Sequence, residues 1–322
     1  MKLFPSLEGV QKAALCLAQV SKRTPLELNK RLSEMTSASV FLKREDLQQI
    51  RSFKIRGAYN KISSLNLHER SEGIVCASAG NHAQGLAFSC KELQIRGSVY
   101  MPATTPQQKV TQVRMFGGDF IEVILIGDTY DECQAIALQA AKESGKIFIH
   151  PFDDIKVIEG QATIALEILE QTSKKLDYVL VPVGGGGLVS GILTVFKLLS
   201  PHTKIIGVEP EGAPSMREAL NLGERISLKS IDRFVDGAAL RQVGAIPFEI
   251  CKDSLDEMIT VAEGKICQTI LDLYNKEGIV AEPAGALAIA GLEALSIDLQ
   301  DKQIALLLCG GNNDILRMPE IS

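Results

Sequence analysis

Short apolar runs alternate with helical patterns along most of the chain. Strand-like runs precede helix-like segments at 73–93, 122–144 and 178–199, and the further runs KIIGVEP and QIALLLC follow. This alternation is typical of an α/β protein with a mostly parallel sheet, because parallel strands need helical crossover connections. Ligands of such sheets bind beyond the carboxyl ends of the strands. The residues that follow the apolar runs are therefore the candidates for a functional site.

The length of the chain indicates two domains. It has 322 residues, 46% of them apolar, and domains commonly hold roughly 150 residues each. The Pro-containing turn at 150–154 and the segment after Val40 are places where the chain can cross between domains. We expect a large domain formed by 1–47 and 149–322, with a small domain, 48–148, inserted into it.

Charge and cysteine usage favour small-molecule chemistry in the cytoplasm. The formal net charge is −5 without a basic cluster, so neither nucleic acid nor an anionic membrane surface is an expected partner. The seven cysteines contain no C-x-x-C pair, which suits reduced thiols. The apolar runs are shorter than the ~20 residues that a membrane-spanning helix needs.

Four consecutive glycines, Gly184 to Gly187, stand between a strand pattern and a helix pattern. Glycine lets the backbone wrap closely around an anion, and the amides at the start of the next helix favour a phosphate. The segment matches neither G-x-G-x-x-G nor the P-loop, since Ile192 occupies the lysine position of the latter. The alternative is a tight turn without a ligand.

A second loop of small residues, Ser78-Ala79-Gly80-Asn81-His82, also joins a strand pattern to a helix pattern. Its amides would form a seat for a substrate carboxylate, and the Asn81 side chain can bond a ligand oxygen. The alternative is that Ser78 and Asn81 only cap the helix.

Lys54 lies in the motif SFKIRG, where Ser52 is expected to cap a helix. In its first turn the helix dipole and burial would lower the pKa of the lysine, favouring imine formation and proton transfer. The alternative is a solvated charge. At the end of another apolar run, Cys309 is either a neutral partner for a bound ring or a small buried hydrophobic residue.

Taken in order, these segments resemble the fold-type II pyridoxal 5'-phosphate (PLP) enzymes, and nearly the whole chain is similar to the catalytic portion of the biosynthetic threonine dehydratases. The segments that carry the resemblance are FLKREDLQQIRSFKIRGAY, CASAGNHAQGLAFSCK, HPFDDIKVIEGQATIALEI, VPVGGGGLVSGI, AEPAGALAIAG and CGGNNDILRMPEI. The resemblance implies a fold like that of the tryptophan synthase β chain, with PLP between two parallel-sheet α/β domains.

The resemblance also implies the role of each candidate. Lys54 would bind PLP covalently and act as the base, Phe53 would pack near the ring and Cys309 would face the pyridine nitrogen. Asn81 would bond the 3'-oxygen of the ring. The phosphate would lie on Gly184, Gly185, Gly186, Gly187 and Leu188, and the substrate carboxylate on Ser78, Ala79, Gly80, Asn81 and His82. A cation loop of some relatives resembles Glu209, Ala213 and Ser215, but serine replaces its aspartate, which weakens the case for a metal.

The implied reaction is the dehydration and deamination of L-threonine to 2-oxobutyrate and ammonia, the first step towards isoleucine, with L-serine as a secondary substrate. One alternative is a serine racemase or serine dehydratase, but racemases of this family carry a second serine where this chain has Ala79. Another is a non-catalytic binding protein, which the retained Lys54 disfavours. We expect a homodimer or homotetramer and, since the sequence stops at Ser322, no C-terminal regulatory domain.

Overall fold

The computed structural model describes residues 4–321, except the side chain of Ile315, and contains two β-sheets. The strands of the six-stranded sheet, numbered in chain order, are β1 (Leu26–Leu28), β2 (Ser39–Arg44), β7 (Tyr178–Pro182), β8 (Lys204–Pro210), β9 (Glu257–Val261) and β10 (Gln303–Leu308), arranged β1-β2-β10-β7-β8-β9. The strands of the four-stranded sheet are β3 (Ile74–Ala77), β4 (Gly97–Met101), β5 (Ile121–Leu125) and β6 (Ile147–Phe148), arranged β5-β4-β3-β6. Neighbouring strands are parallel except β1 and β2.

Helices cover both sheets. They are α1 (Leu7–Leu17), α2 (Lys30–Thr36), α3 (Lys54–Ser63), α4 (Leu67–Glu72), α5 (Asn81–Leu93), α6 (Gln107–Gly117), α7 (Tyr130–Ser144), α8 (Ile155–Gln171), α9 (Gly187–Leu199), α10 (Ser215–Leu222), α11 (Ala245–Ser254), α12 (Glu263–Glu277), α13 (Pro283–Ala294) and α14 (Met318–Ile321). Local sequence sets several ends: Thr129 and Glu132 form a capping box before α7, and Gly145 ends it in the left-handed conformation.

The four-stranded sheet is covered on both faces because its strands are apolar on both sides. Ile74 and Cys76 of β3 pack into one cluster with Leu86 of α5, whereas Val75 packs into another with Ala137 of α7. Successive side chains of a strand point to opposite faces, so a continuous apolar run needs helices on each. The predicted arrangement of two parallel-sheet α/β domains is confirmed; the division at positions 47 and 149 stays a prediction.

A buried ionic network joins α3 to the six-stranded sheet. The guanidinium of Arg56, 1% exposed, lies 2.8 Å from a Glu45 oxygen and 2.6 Å from a Glu167 oxygen. Lys43 of β2 lies 2.6 Å from the other Glu167 oxygen. Burial alone would raise the pKa of Glu45, but Arg56, Lys43 and Thr24 together outweigh burial and hold that pKa below its usual value.

The predicted cap of α3 is wrong. The helix begins after Phe53, without a side-chain cap, and Ser52 instead pairs with Gly310 in an isolated antiparallel bridge. The Ser52 hydroxyl has no hydrogen-bond partner within residues 4–321. Tertiary pairing with the segment after β10 therefore fixes this turn, which the local pattern could not reveal. None of the helices in the described part of the chain is long and apolar enough to cross a bilayer.

Candidate active site

A cavity of about 300 Å³ lies between the two sheets. It brings together most of the residues singled out from the sequence: Phe53, Lys54, Ser78, Ala79, Gly80, Asn81, His82, Gly185 and Cys309. Of the predicted phosphate loop, only Gly185 lines the cavity. Gly187 and Leu188 are already part of α9. Among the residues that line a more open depression of about 610 Å³ beside α11, none belongs to this set.

Lys54 is the first residue of α3, and its amine reaches the cavity. The Nζ atom donates a hydrogen bond to the carbonyl of Pro151 at 2.9 Å and lies 5.3 Å from the centre of the Phe53 ring. Burial lowers the pKa of Lys54 to about 8, although the charge of Glu282 partly opposes this shift. A substantial fraction of the amine is therefore neutral near pH 8 and able to attack a carbonyl carbon.

The start of α5 presents backbone amides to the cavity. Gly80 precedes the helix without a side-chain cap, and the Ser78 hydroxyl accepts a bond from the Gly80 amide at 3.2 Å. The alternative role of Ser78 and Asn81 as side-chain caps is therefore not realised. Amides in the first turn of a helix lack partners inside the helix and favour a negative group.

His82, in the first turn of α5, is buried and neutral. Burial lowers the pKa of the imidazole to about 3, and Nε2 lies 2.9 Å from the carbonyl of Ile149. Because a carbonyl only accepts, Nε2 carries the proton and Nδ1 is left as an acceptor. Within the described residues Nδ1 has no partner.

The glycine loop has no room for side chains. Gly186 has a φ of +90°, which only glycine adopts without strain. A Cβ at Gly185 would lie 2.3 Å from ring atoms of Phe152, and one at Gly187 would lie 3.0 Å from the Phe152 carbonyl oxygen. The loop therefore packs closely against both the ring and the backbone of Phe152 at the start of α9.

Cys309 follows β10, beside the cavity. Its Sγ donates a hydrogen bond to the carbonyl of Ala284 at 3.4 Å. Burial, and then the nearby Glu282, raise the pKa of the thiol well above its ordinary value. A raised pKa favours the neutral thiol over the nucleophilic thiolate.

Comparison with known proteins identifies the family. Residues 17–310 match the model of the pyridoxal-phosphate dependent enzymes. The chain is 51% identical to the biosynthetic L-threonine dehydratase IlvA of Halalkalibacterium halodurans, over 98% of this chain and 76% of that protein. The chain belongs to the pyridoxal-phosphate dependent enzyme family. Within this family, the processed form of threonine deaminase isoform 2 from Solanum lycopersicum has a TM-score of 0.91 at 40% identity, covering 100% of this chain and 95% of that one.

A serine racemase of maize is also similar in structure, with a TM-score of 0.92, 28% identity and coverage of 99% of this chain and 97% of that one. The predicted fold-type II architecture is confirmed by these likenesses. The fold thus spans deaminases and a racemase, so residues in the cavity must distinguish their reactions.

The residues of the cavity fit the cofactor of the family, PLP. Lys54 supplies an amine with a lowered pKa for the aldehyde, and Asn81 supplies an amide for a ring oxygen. The Gly184–Gly187 segment, where added Cβ atoms would clash, opens a helix whose first amides can bind a phosphate. Cys309 supplies a neutral group.

Two residues that the sequence reasoning missed complete the cavity. Glu282 immediately precedes α13, and its side chain accepts a hydrogen bond from Asn81 at 2.6 Å. Asn312 follows β10, and its Nδ2 donates to the side-chain Oδ1 of Asn81 at 2.7 Å. Both lie in segments that resemble the family, Glu282 in AEPAGALAIAG and Asn312 in CGGNND. The sequence signal for Glu282 was a charged residue directly before an apolar helix pattern.

Glu209, the candidate cation ligand, is engaged by the protein backbone. It is fully buried, and its carboxylate accepts hydrogen bonds from the amides of Met216 at 2.7 Å and Arg217 at 3.0 Å. Ser215 Oγ lies 3.4 Å away. Burial raises the pKa of Glu209 to about 8. The arrangement caps α10, and no group of three or more His, Cys, Asp or Glu side chains suited to a metal occurs among residues 4–321.

Proposed function

We propose that this chain catalyses the PLP-dependent dehydration and deamination of L-threonine to 2-oxobutyrate and ammonia, with L-serine converted to pyruvate as a secondary reaction. The observation that carries the proposal is Lys54, with its lowered pKa, facing the amide-rich start of α5 across one cavity. The names of the relatives, biosynthetic threonine dehydratase and threonine deaminase, support threonine as the substrate and a place in isoleucine synthesis.

In this proposal each residue has a defined task. Lys54 holds PLP covalently until the amino group of the substrate takes its place. The freed Lys54 amine then removes the proton from the α-carbon of the substrate. When bound, PLP withdraws electrons from the α-carbon, which allows the β-hydroxyl to leave. The net change is balanced, because the water lost in dehydration is regained when ammonia is released.

Binding groups orient the reactants. The amides of Ser78, Ala79, Gly80, Asn81 and His82 hold the substrate carboxylate, and those of Gly184, Gly185, Gly186, Gly187 and Leu188 hold the phosphate of PLP. Phe53 packs beside the ring, while the neutral thiol of Cys309 leaves the pyridine nitrogen unprotonated. Ala79 lines the cavity and carries no proton donor. Its side chain therefore cannot return a proton to the α-carbon, which disfavours racemisation.

The wider setting is part of the proposal. Seven free cysteines, five of them buried, are consistent with the reducing cytoplasm, and the relatives are named as biosynthetic enzymes. We propose that the enzyme works there on small amino acids as a homodimer or homotetramer, with the large domain formed by 1–47 and 149–322. Sedimentation of the purified protein measures the oligomeric state.

Steady-state kinetics on L-threonine and L-serine test the function. The PLP-loaded protein should absorb near the edge of the visible range, lose this band with borohydride and release 2-oxobutyrate. Lys54→Ala should abolish turnover while leaving the fold intact. Lys91→Ala, which removes an exposed lysine of α5, is the control and should behave like the wild type. Substantial turnover by Lys54→Ala with saturating PLP would contradict the proposal.

A further inference from the structure

The side-chain amide of Asn81 is held from both ends by residues that precede or follow elements of the other domain. Its Oδ1 accepts a hydrogen bond from Asn312 Nδ2 at 2.7 Å, and its Nδ2 donates one to Glu282 Oε1 at 2.6 Å. The carbonyl oxygen of an amide only accepts and its nitrogen only donates. If the amide were flipped, Asn81 Nδ2 would face the donor Nδ2 of Asn312, and Asn81 Oδ1 would face the acceptor Oε1 of Glu282. Neither pair could form a hydrogen bond. One orientation of Asn81 is therefore specified.

The two partners of Asn81 are themselves fixed in place. Glu282 is 6% exposed, and its amide donates to the carbonyl of Gly310 at 3.2 Å. A Cβ at Gly310 would lie 2.2 Å from Glu282 Oε1, so the loop after β10 fits closely against this carboxylate. Asn312 Nδ2 also approaches the carbonyl of Ile50 at 2.8 Å and Oε1 of Gln84 at 2.9 Å. The loop after β10 and the start of α13 thus form one rigid support.

Only one hydrogen of the Asn81 Nδ2 group is used by these contacts. An amide nitrogen carries two hydrogens, and the described residues provide one acceptor, Glu282. Asn81 lines the cavity that also contains Lys54. The second hydrogen is therefore available to a bound group.

We propose that Glu282 and Asn312 are positioning residues, which lock the amide of Asn81 so that its free N–H meets an acceptor oxygen on the ring of bound PLP. This inference rests on the proposed function for the placement of PLP, but the lock itself is a property of the chain. In this arrangement the Glu282 carboxylate and the ring oxygen of PLP both accept hydrogen bonds from Asn81 Nδ2. Two negative oxygens that share one amide repel each other, so the charge of Glu282 affects the electronic state of the ring.

The surroundings of Glu282 make this charge variable near neutral pH. Burial and then Asp236 raise the pKa of Glu282 to about 7, while Asn81 and Lys109 act in the opposite direction. Glu282 also interacts with Lys54 and Cys309. Two acceptors on one amide would raise this pKa further when PLP is bound.

The experiment compares PLP binding and the pH dependence of the bound PLP spectrum in four variants. Asn312→Asp replaces a donor by an acceptor opposite the Asn81 oxygen, and Glu282→Ala removes the acceptor; each should weaken PLP binding about tenfold or more and shift the spectrum, since a buried polar group loses its partner. Glu282→Gln keeps an acceptor and removes the charge. It should bind PLP within a fewfold of the wild type but lose the spectral change near pH 7.

Asn313→Asp is the matched control. It introduces the same charge at the next position, where the side chain donates to the carbonyl of Ala281 at 3.2 Å instead of to Asn81. Its PLP spectrum should match that of the wild type. Circular dichroism of each variant checks folding, and Glu282→Gln, which retains shape and acceptor, keeps the test decisive if the others fail to fold. Wild-type affinity and pH dependence in both Asn312→Asp and Glu282→Gln would overturn the inference.

A readout without PLP separates this inference from the proposed function. In the cofactor-free, ¹⁵N-labelled protein, the two side-chain amide protons of Asn81 should be separated by more than those of a free asparagine amide, because only one of them bonds to Glu282. Glu282→Ala should reduce this separation to that of a free amide, and Asn313→Asp should leave it unchanged. If the wild type failed to bind PLP, the proposed function would be refuted. The amide signals would still test whether Glu282 and Asn312 fix the orientation of Asn81. A wild-type separation equal to that of a free asparagine amide would refute the lock directly.

Discussion

Replacing Gly187 by alanine tests how closely the glycine loop must pack. An added Cβ would lie 2.9 Å from the Phe152 Cβ and 3.0 Å from the Phe152 Cα and carbonyl oxygen. Comfortable contacts between carbon atoms are about 3.5–4.0 Å, so the two segments must separate by roughly half an ångström or more. Two of these atoms are backbone, which cannot swing aside. Overpacking of this kind costs about 1–3 kcal/mol.

Gly264→Ala is the matched control, since Gly264 also lies in the first turn of a helix but has no atom within 4 Å of an added Cβ. Alanine is favoured over glycine within a helix by roughly 0.5–1 kcal/mol. We therefore expect the control to be unchanged or slightly stabilised. The difference between the two variants in free energy of unfolding then gives the steric cost of about 1–3 kcal/mol without the helix-propensity contribution.

Urea unfolding of the cofactor-free variants, followed by far-UV circular dichroism, measures this difference. Phe152 adjoins Pro151, whose carbonyl accepts the bond from Lys54, so the displacement also reaches the lysine. PLP affinity, titrated by absorbance, should fall about tenfold for each 1.4 kcal/mol lost from the bound state. Equal unfolding midpoints and equal PLP affinity for Gly187→Ala and Gly264→Ala would refute the reasoning.

Three further predictions concern the chemistry. Because the pKa of Lys54 is about 8, the rate of PLP binding to the cofactor-free protein should rise nearly tenfold per pH unit below 8 and level off above it; a flat stopped-flow profile from pH 6 to 9 would contradict this assignment. Cys309→Ser should keep much of the threonine activity, because both side chains are neutral; loss of several orders of magnitude with PLP bound would give the thiol another role. With Ala79 in place, L-serine should yield essentially no D-serine by chiral chromatography, whereas racemisation competitive with pyruvate release would count against the proposed mechanism.

The central strands could be predicted from the sequence because their burial is encoded in their composition. The apolar run at 178–183 corresponds to β7, whose residues are buried or nearly so, and the run at 303–309 corresponds to β10. The first strand could not be found in this way. Its three residues, Leu26–Leu28, are partly or fully exposed, so pairing with β2 rather than an apolar pattern creates the strand.

The site was predictable only where one segment carries its own signal. The glycine loop and the start of α5 are turns between recognisable elements, and Lys54 lies in a distinctive motif. Glu282 and Asn81 are 201 positions apart, and no local pattern relates them. The cap assigned to Ser52 failed for the same reason, because its partner, Gly310, is contributed by a distant strand end.

The buried Arg56 network holds α3 in place beside the cavity. Arg56 follows Lys54 by two residues on α3, and lifting this helix would separate a buried guanidinium from Glu45 and Glu167. Removing one partner from such a pair commonly costs about 3–5 kcal/mol. Amide hydrogens of α3 should therefore exchange with solvent only in rare, large-scale opening events, whereas the exposed outer turns of α7 should exchange through frequent local ones. We therefore expect α3, and Lys54 with it, to keep its position when a substrate enters the cavity.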